Sequence, residues 1–324
     1  MRAISLAFVL ACLSVGCGPT TSSTPAIKVG FVPMGTTDPY WQAVHAGASR
    51  AAVEMDVELV WPTAFRVGDV SAQIRAIEDM RRRGATAIAI APIDPSALAR
   101  PIGALVDAGV PTVIFDSPLD RDDLPFVGSD NYRAGEQAGE HMAKAIGGRG
   151  GVIVLRIDPG AASVDERVRG FLDAVARHPG MTIVSHTAIP PGIESAFVQS
   201  HEILKASGAR QAGRVAGVFT PSQALTVGMV RALQNFRLTR QIRHVGHDTS
   251  PLLANLLQRR QLDALVVQDP DAMGRLSLVT LVRMLRNQPT ELRVSTPVVV
   301  ATPDTVEVPI VKALLRPNLT IVRR

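Results

Sequence analysis

Cysteine is nearly absent from this sequence. Its two cysteines, Cys12 and Cys17, both fall within the first 17 of 324 residues. Nothing downstream can form a disulfide, a thiolate metal site or a thiol nucleophile, which removes several enzyme classes. Lysine is scarce too: Lys28, Lys144, Lys205 and Lys312 are four among 34 cations, and none stands in a phosphate-cradling glycine loop. The arginines are scattered, with Arg81-Arg82-Arg83 the longest run. A net charge of +5 and a pI of 9.7 therefore read as a solvated basic surface, with no nucleic acid as partner. Aromatics make up only 4% of the chain, so the place where Tyr40 and Trp41 stand together is informative.

Catalytic and metal constellations are missing as well. His247-Asp248 has no Gly-x-Ser-x-Gly elbow to accompany it. His201-Glu202 lacks the second histidine of a zinc helix, and no other histidine cluster has ligand spacing. The glycine-rich break at 147–151 precedes a strand, whereas a dinucleotide loop must follow one. No enzyme, metal or cofactor is expected.

The first segment is an address. Met1-Arg2, an apolar run over 3–15 and Gly16-Cys17-Gly18 resemble a bacterial lipoprotein signal. Cleavage would remove 1–16 and leave Cys17 as an acylated N-terminus, with 17–26 as a polar tether. This predicts a periplasmic protein held to the membrane by a lipid anchor. No later run reaches the roughly 18 apolar residues of a spanning helix.

From residue 27 onward, short apolar runs alternate with segments of helical period. Strands are expected at 27–32, 57–61, 87–91, 112–115, 125–127, 151–155, 182–185, 215–219, 244–245, 264–267 and 297–300, with helices between them. Such alternation predicts α/β architecture, with two doubly wound parallel-sheet domains. Parallel α/β sheets bind ligands beyond the carboxyl ends of their strands. There this sequence places Asp38-Pro39-Tyr40-Trp41, Asp116-Ser117, Gly128-Ser129-Asp130-Asn131, Thr220-Pro221-Ser222, Gly246-His247-Asp248 and Gln268-Asp269. The result is a polar cleft with an aromatic wall.

These segments, with Glu166-Arg167 before Gly170-Phe171, occur in one order that resembles the periplasmic ribose-type sugar-binding proteins. Those are type I periplasmic binding proteins, relatives of the ligand domains of the lactose-repressor family, and the resemblance covers 27–302. It implies two lobes on a three-strand hinge, with crossings near Ser129, Gln268 and Val299. The lobes would be 27–129 plus 269–299 and 130–268 plus 300–324. It also implies a monomer that closes on a monosaccharide or similar polyhydroxylated molecule and delivers it to an ABC transporter permease. The alternative is a periplasmic sensor that presents its closed form to a histidine kinase or chemoreceptor.

Residue by residue, the resemblance makes Tyr40 and Trp41 the stacking aromatics. Asp38, Asp116, Asp248 and Gln268 become hydroxyl partners. Ser117 and Asp165 stand where the family carries arginine, and Ser222 where it carries asparagine, while Arg167 matches a second arginine. Those departures imply a different hydroxyl pattern or a different ligand. Asp130 and Asn131 are expected to cap the following helix and set the hinge.

Overall fold

The computed structural model describes residues 27–158, 160–211 and 213–322. The expected signal and lipidation site at 1–26, Cys17 included, lie outside the described residues. Strands β1 (Lys28–Val32), β2 (Glu58–Val60), β3 (Ala87–Ile90), β4 (Thr112–Phe115) and β5 (Phe126–Gly128) alternate with helices α1 (Pro39–Met55), α2 (Val70–Arg82) and α3 (Pro95–Asp107). The second unit contains α4 (Asn131–Ile146), β6 (Arg149–Ile157), α5 (Ala162–Ala176), β7 (Gly180–Ile189) and α6 (Ile193–Ala206). It continues with β8 (Gly217–Phe219), α7 (Gln223–Phe236), β9 (Arg243–His247), α8 (Pro251–Gln258) and β10 (Ala264–Gln268). Helix α9 (Pro270–Leu285), β11 (Arg293–Ser295), β12 (Val298–Ala301) and α10 (Pro309–Leu315) complete the chain.

The strands form two six-stranded sheets, ordered β11-β5-β4-β3-β1-β2 and β12-β10-β9-β8-β6-β7. Every pair is parallel except β10–β12. Central strands such as Ala-Ile-Ala-Ile in β3 are buried at every residue, because helices cover both faces of each sheet. Each sheet reverses its winding beside its first strand, β1 or β6, and there opens a crevice at the strand ends.

The chain passes between the two sheets three times. Strand β5 lies in the first sheet, yet the next helix, α4, packs on α5 of the second unit. Strand β10 lies in the second sheet, and α9 returns to pack on α1. The third passage runs from β11 to β12, so it precedes the expected 299 and puts Val298 and Val299 in the second sheet. Ser129 Oγ and Thr296 Oγ1 share a hydrogen bond of 3.0 Å that ties the first passage to the third.

Both returning helices sit very close to their partners. A Cβ on Gly47 or Gly274 would run into the carbonyl of Asp271 or Val44 at the α1–α9 crossing. At α4–α5, Gly135 and Gly170 meet the carbonyls of Arg167 and Tyr132 in the same way. Only glycine lets the backbones approach so closely.

Two elements were not expected from the pattern. The edge strand β11 (Arg-Val-Ser) carries no apolar run, and α10 lies in the C-terminal tail. Helix α10 buries Val311, Leu314 and Leu315 against the second unit. The tail then crosses back: Arg50 Nη1 donates to the Thr320 carbonyl (3.2 Å), and Val322 N donates to Ser49 Oγ (3.1 Å), both on α1. Residues 320–322 therefore lie on the first unit, although the whole of 300–324 was assigned to the second.

Candidate functional site

Six segments bring polar side chains to the facing strand ends, and the two halves touch. The Ser163 amide of α5 donates to Ser117 Oγ after β4 (3.3 Å). Ala161, just ahead of α5, packs into the apolar core of the first unit.

In the first unit, β1 leads through 33–38 into α1. Pro39 opens that helix, where a proline costs no hydrogen bond. Tyr40 in the first turn donates its hydroxyl to Asp116 Oδ1 at 2.5 Å and lies 3.6 Å from the Met273 sulfur. Asp116 follows β4 with a left-handed backbone (φ 64°) and is 5% exposed. Burial, partly offset by Arg167 and by the Tyr40 hydroxyl, pushes its carboxyl up to about 6. Burial and the charges of Asp116 and Asp248 together drive the Tyr40 hydroxyl well above its ordinary value. Tyr40 thus feels carboxylates of both units.

Trp41 has a different role. Its ring is 5% exposed and packs edge-on against Tyr40 and Phe115, at centroid separations of 4.9 and 6.2 Å, within the first core. Asp38 occupies the N-cap position of α1 without a side-chain cap bond, and burial raises its carboxyl.

In the second unit, Asp248 follows β9 with φ 63°. Gln268, the last residue of β10, donates Nε2 to Asp248 Oδ1 (2.6 Å). Arg167 Nη1 stands 3.8 Å from Asp248 Oδ2 and donates to the Pro221 carbonyl at 3.1 Å, while Nε donates to Asn131 Oδ1 at 2.8 Å. Burial opposes ionisation of Asp248, but His247, Arg167 and Gln268 outweigh it and hold the carboxyl below its usual range. The neighbouring His247 is fully buried; burial and Arg167 push its pKa down, so it is neutral at neutral pH.

The structure therefore gathers Tyr40, Asp116, Arg167, Asp248 and Gln268, with Ser117 buried at the contact between the units. Ser222 precedes α7 without capping it, and its buried Oγ has no partner. Asp165 is not brought in: it is exposed on the first turn of α5, with Arg156 and Asp158 as its nearest charges. A helix turns about 100° per residue, so Asp165 and Arg167 cannot share one direction. Asn131 is also reassigned. Asp130 alone caps α4, accepting from the Arg133 amide, while Asn131 holds Arg167 in place. His247, Ser163 and Met273 were not singled out as site residues; the neighbours of Ser163 and Met273 come from distant segments and leave no local signal, and His247 was weighed only as a catalytic partner of Asp248.

Among the described residues there is no group of three or more carboxylates, histidines or cysteines able to hold a metal ion, and no helix long and apolar enough to cross a membrane. What remains is a set of acceptors and donors converging from two lobes. Residues 29–289 match the family model described as a periplasmic binding protein domain. The chain belongs to that family.

Relatives of this periplasmic binding protein include the ribose import binding protein of Haemophilus influenzae, 23% identical over 88% of this chain and 94% of its own length. The ribose import binding protein of Escherichia coli is 25% identical over 85% of this chain and 91% of its own. Among solved structures, a solute-binding protein of an ABC transporter from Agrobacterium vitis with bound α-D-tagatopyranose superposes at a TM-score of 0.84. It is 25% identical and covers 90% of this chain and 100% of that one. A carbohydrate transporter solute-binding protein from Agrobacterium radiobacter in complex with D-arabinose gives 0.84 at 27% identity, over 91% and 100%. These relatives are binding proteins, not enzymes, and their two-lobed fold is the one described above.

Proposed function

We propose that this protein is the substrate-binding lipoprotein of an ABC importer, exported to the periplasm and anchored through Cys17. It takes a monosaccharide or similar polyhydroxylated molecule between its lobes and closes on it as a monomer. One observation carries the reading: Asp116 of one lobe and Asp248 of the other belong to a single buried cluster linked through Tyr40 and Arg167.

A sugar hydroxyl both donates and accepts, so it satisfies a carboxylate and a guanidinium together. Bonds to charged groups are about twice as strong as neutral ones. The apolar C–H face of the sugar lies on the Tyr40 ring. Ligand that touches both lobes binds the closed form better than the open one, and that difference drives closure. The three passages between the sheets act as the hinge. Asp38, Ser117 and Ser222 complete the polar rim. Trp41 backs the Tyr40 ring, and Asp165 stands at the edge.

A thermal-shift screen of pentoses, hexoses and ketohexoses tests this. Ligand at 100 times its dissociation constant adds about 2.7 kcal/mol of stability. The expected result is a shift with at least one monosaccharide that Asp116→Ala abolishes. No shift across the screen would exclude the reading.

A further inference from the structure

Buried polar atoms without partners are rare in folded proteins, and each costs about 1 to 3 kcal/mol. Seven such side-chain atoms occur among the described residues. Three of them are His247 Nε2, Gln268 Oε1 and Ser222 Oγ, in residues that adjoin Asp248, donate to it, or follow the Pro221 whose carbonyl Arg167 binds.

His247 is the extreme case. Nε2 lacks a hydrogen-bond partner, although the residue is fully buried. Nδ1 stands 3.1 Å from Asp248 Oδ1, within reach of that carboxylate. The buried His244, three residues earlier in β9, differs at Nε2, which pairs with Thr220 Oγ1 at 2.9 Å, while its Nδ1 is unpaired. A histidine kept only for packing has no need of an unpaired Nε2 beside this carboxylate. A neutral imidazole carries one N–H and one bare nitrogen, so it can satisfy an acceptor and a donor at once.

We propose that His247 is a specificity-determining residue of the cleft. Its Nδ1–H steers Asp248, and its bare Nε2 accepts a hydrogen bond from a hydroxyl of the ligand. The unpaired Gln268 Oε1 is a second acceptor beside the same carboxylate, and Ser222 Oγ serves a third ligand atom. The subsite favours a ligand with adjacent hydroxyl donors over its deoxy analogue. This inference rests on the sugar-binding reading above.

The test uses the whole mature protein and D-ribose, D-arabinose, D-allose and D-tagatose as probes. His247→Phe keeps a flat ring and removes both nitrogens. It is expected to weaken binding of the best probe at least tenfold, while the unligated melting temperature holds or rises. In parallel, nitrogen-15 spectra of the wild-type imidazole are expected to show a neutral ring with the proton on Nδ1. Saturating sugar is expected to shift the Nε2 resonance. Affinity of the variant within twofold of wild type, or an Nε2 resonance that sugar leaves unmoved, overturns the proposal while sugar binding stands. If His247→Phe fails to fold, the wild-type spectra alone decide. Failure of all four probes to bind the wild type overturns both readings.

Discussion

Asp116 and Asp248 occupy the same point of the two lobes. One follows β4 and the other β9, both carry left-handed backbones, and each donates its amide to the adjacent strand, to Val127 and Val266 at 2.9 and 2.8 Å. Aspartate is among the few residues that tolerate this conformation, which turns the chain sharply at the strand end. Yet their electrostatics are opposite. Asp248 has Arg167 and Gln268 against it and stays ionised, whereas Asp116 has, among the described residues, only the Tyr40 hydroxyl as a side-chain hydrogen-bond partner and is pushed up to about 6. One carboxylate is already compensated; on the proposed function, the other is expected to gain its partner from the ligand.

It follows that Asp116→Asn stabilises the empty protein. The shift from 3.8 to about 6 corresponds to roughly 3 kcal/mol against the ionised form at neutral pH. An amide avoids that cost and still accepts from Tyr40. Melting of the empty variant is expected several degrees above wild type, with sugar binding lost. A lower melting temperature would show that Asp116 contributes to stability as an anion.

Binding is expected to depend on pH through the same group. The folded carboxyl takes up its proton near pH 6, above the unfolded 3.8, so between those values the empty protein gains stability as pH falls. The ligand needs the ionised form, so affinity falls below pH 6 and approaches a tenfold loss per unit. Asp248, held below its usual range, adds no change until more acid conditions. Calorimetric titrations of the wild type at pH 7, 6 and 5 would show this, and melting of the empty Asp116→Asn variant would not share the gain in stability as pH falls. A flat wild-type profile would exclude an ionised Asp116 as the acceptor.

How much of this was legible varies with the range of the interaction. Asp116, Asp248 and Gln268 could be read because each stands at the end of an apolar strand, and Tyr40 because it opens the helix that follows the first one; strand order brings those ends together. The direction of Asp165 could not be read because one residue on a helix changes the direction faced, and the resemblance fixes position, not direction. Asn131 was taken for a cap because it adjoins Asp130; its bond to Arg167 spans 36 residues. Strand β11 escaped notice because Arg293 and Ser295 flank one valine, and pairing with β5 makes it a strand.

Arg167 joins the two lobes' chemistry while being buried itself, at 3% exposure. Arg167→Met removes the cation facing Asp248 and the bonds to Asn131 and Pro221. Breaking a buried pair on one side costs about 3 to 5 kcal/mol, mostly through the stranded partner. Adding Asp248→Asn is expected to recover at least half of the loss in denaturant unfolding, since the neutral amide needs no cation. Strictly additive losses would mean that the two do not interact.

The C-terminal tail constrains the same motion from outside the cleft. Leu314 and Leu315 anchor it in the second lobe, with the Leu315 carbonyl accepting from Thr249 Oγ1 (3.2 Å). Thr320 and Val322 are bonded to α1, the helix that carries Tyr40. Separation of the lobes must stretch or release this segment. Two hydrogen bonds, one exposed and one part-buried, contribute about 1 kcal/mol each, enough to move an open–closed equilibrium five- to thirtyfold. Truncation after Arg316 is therefore expected to weaken sugar binding without touching the site, and to increase the radius of gyration of the empty protein in X-ray scattering. Equal affinity and equal scattering would show that the tail follows the first lobe passively.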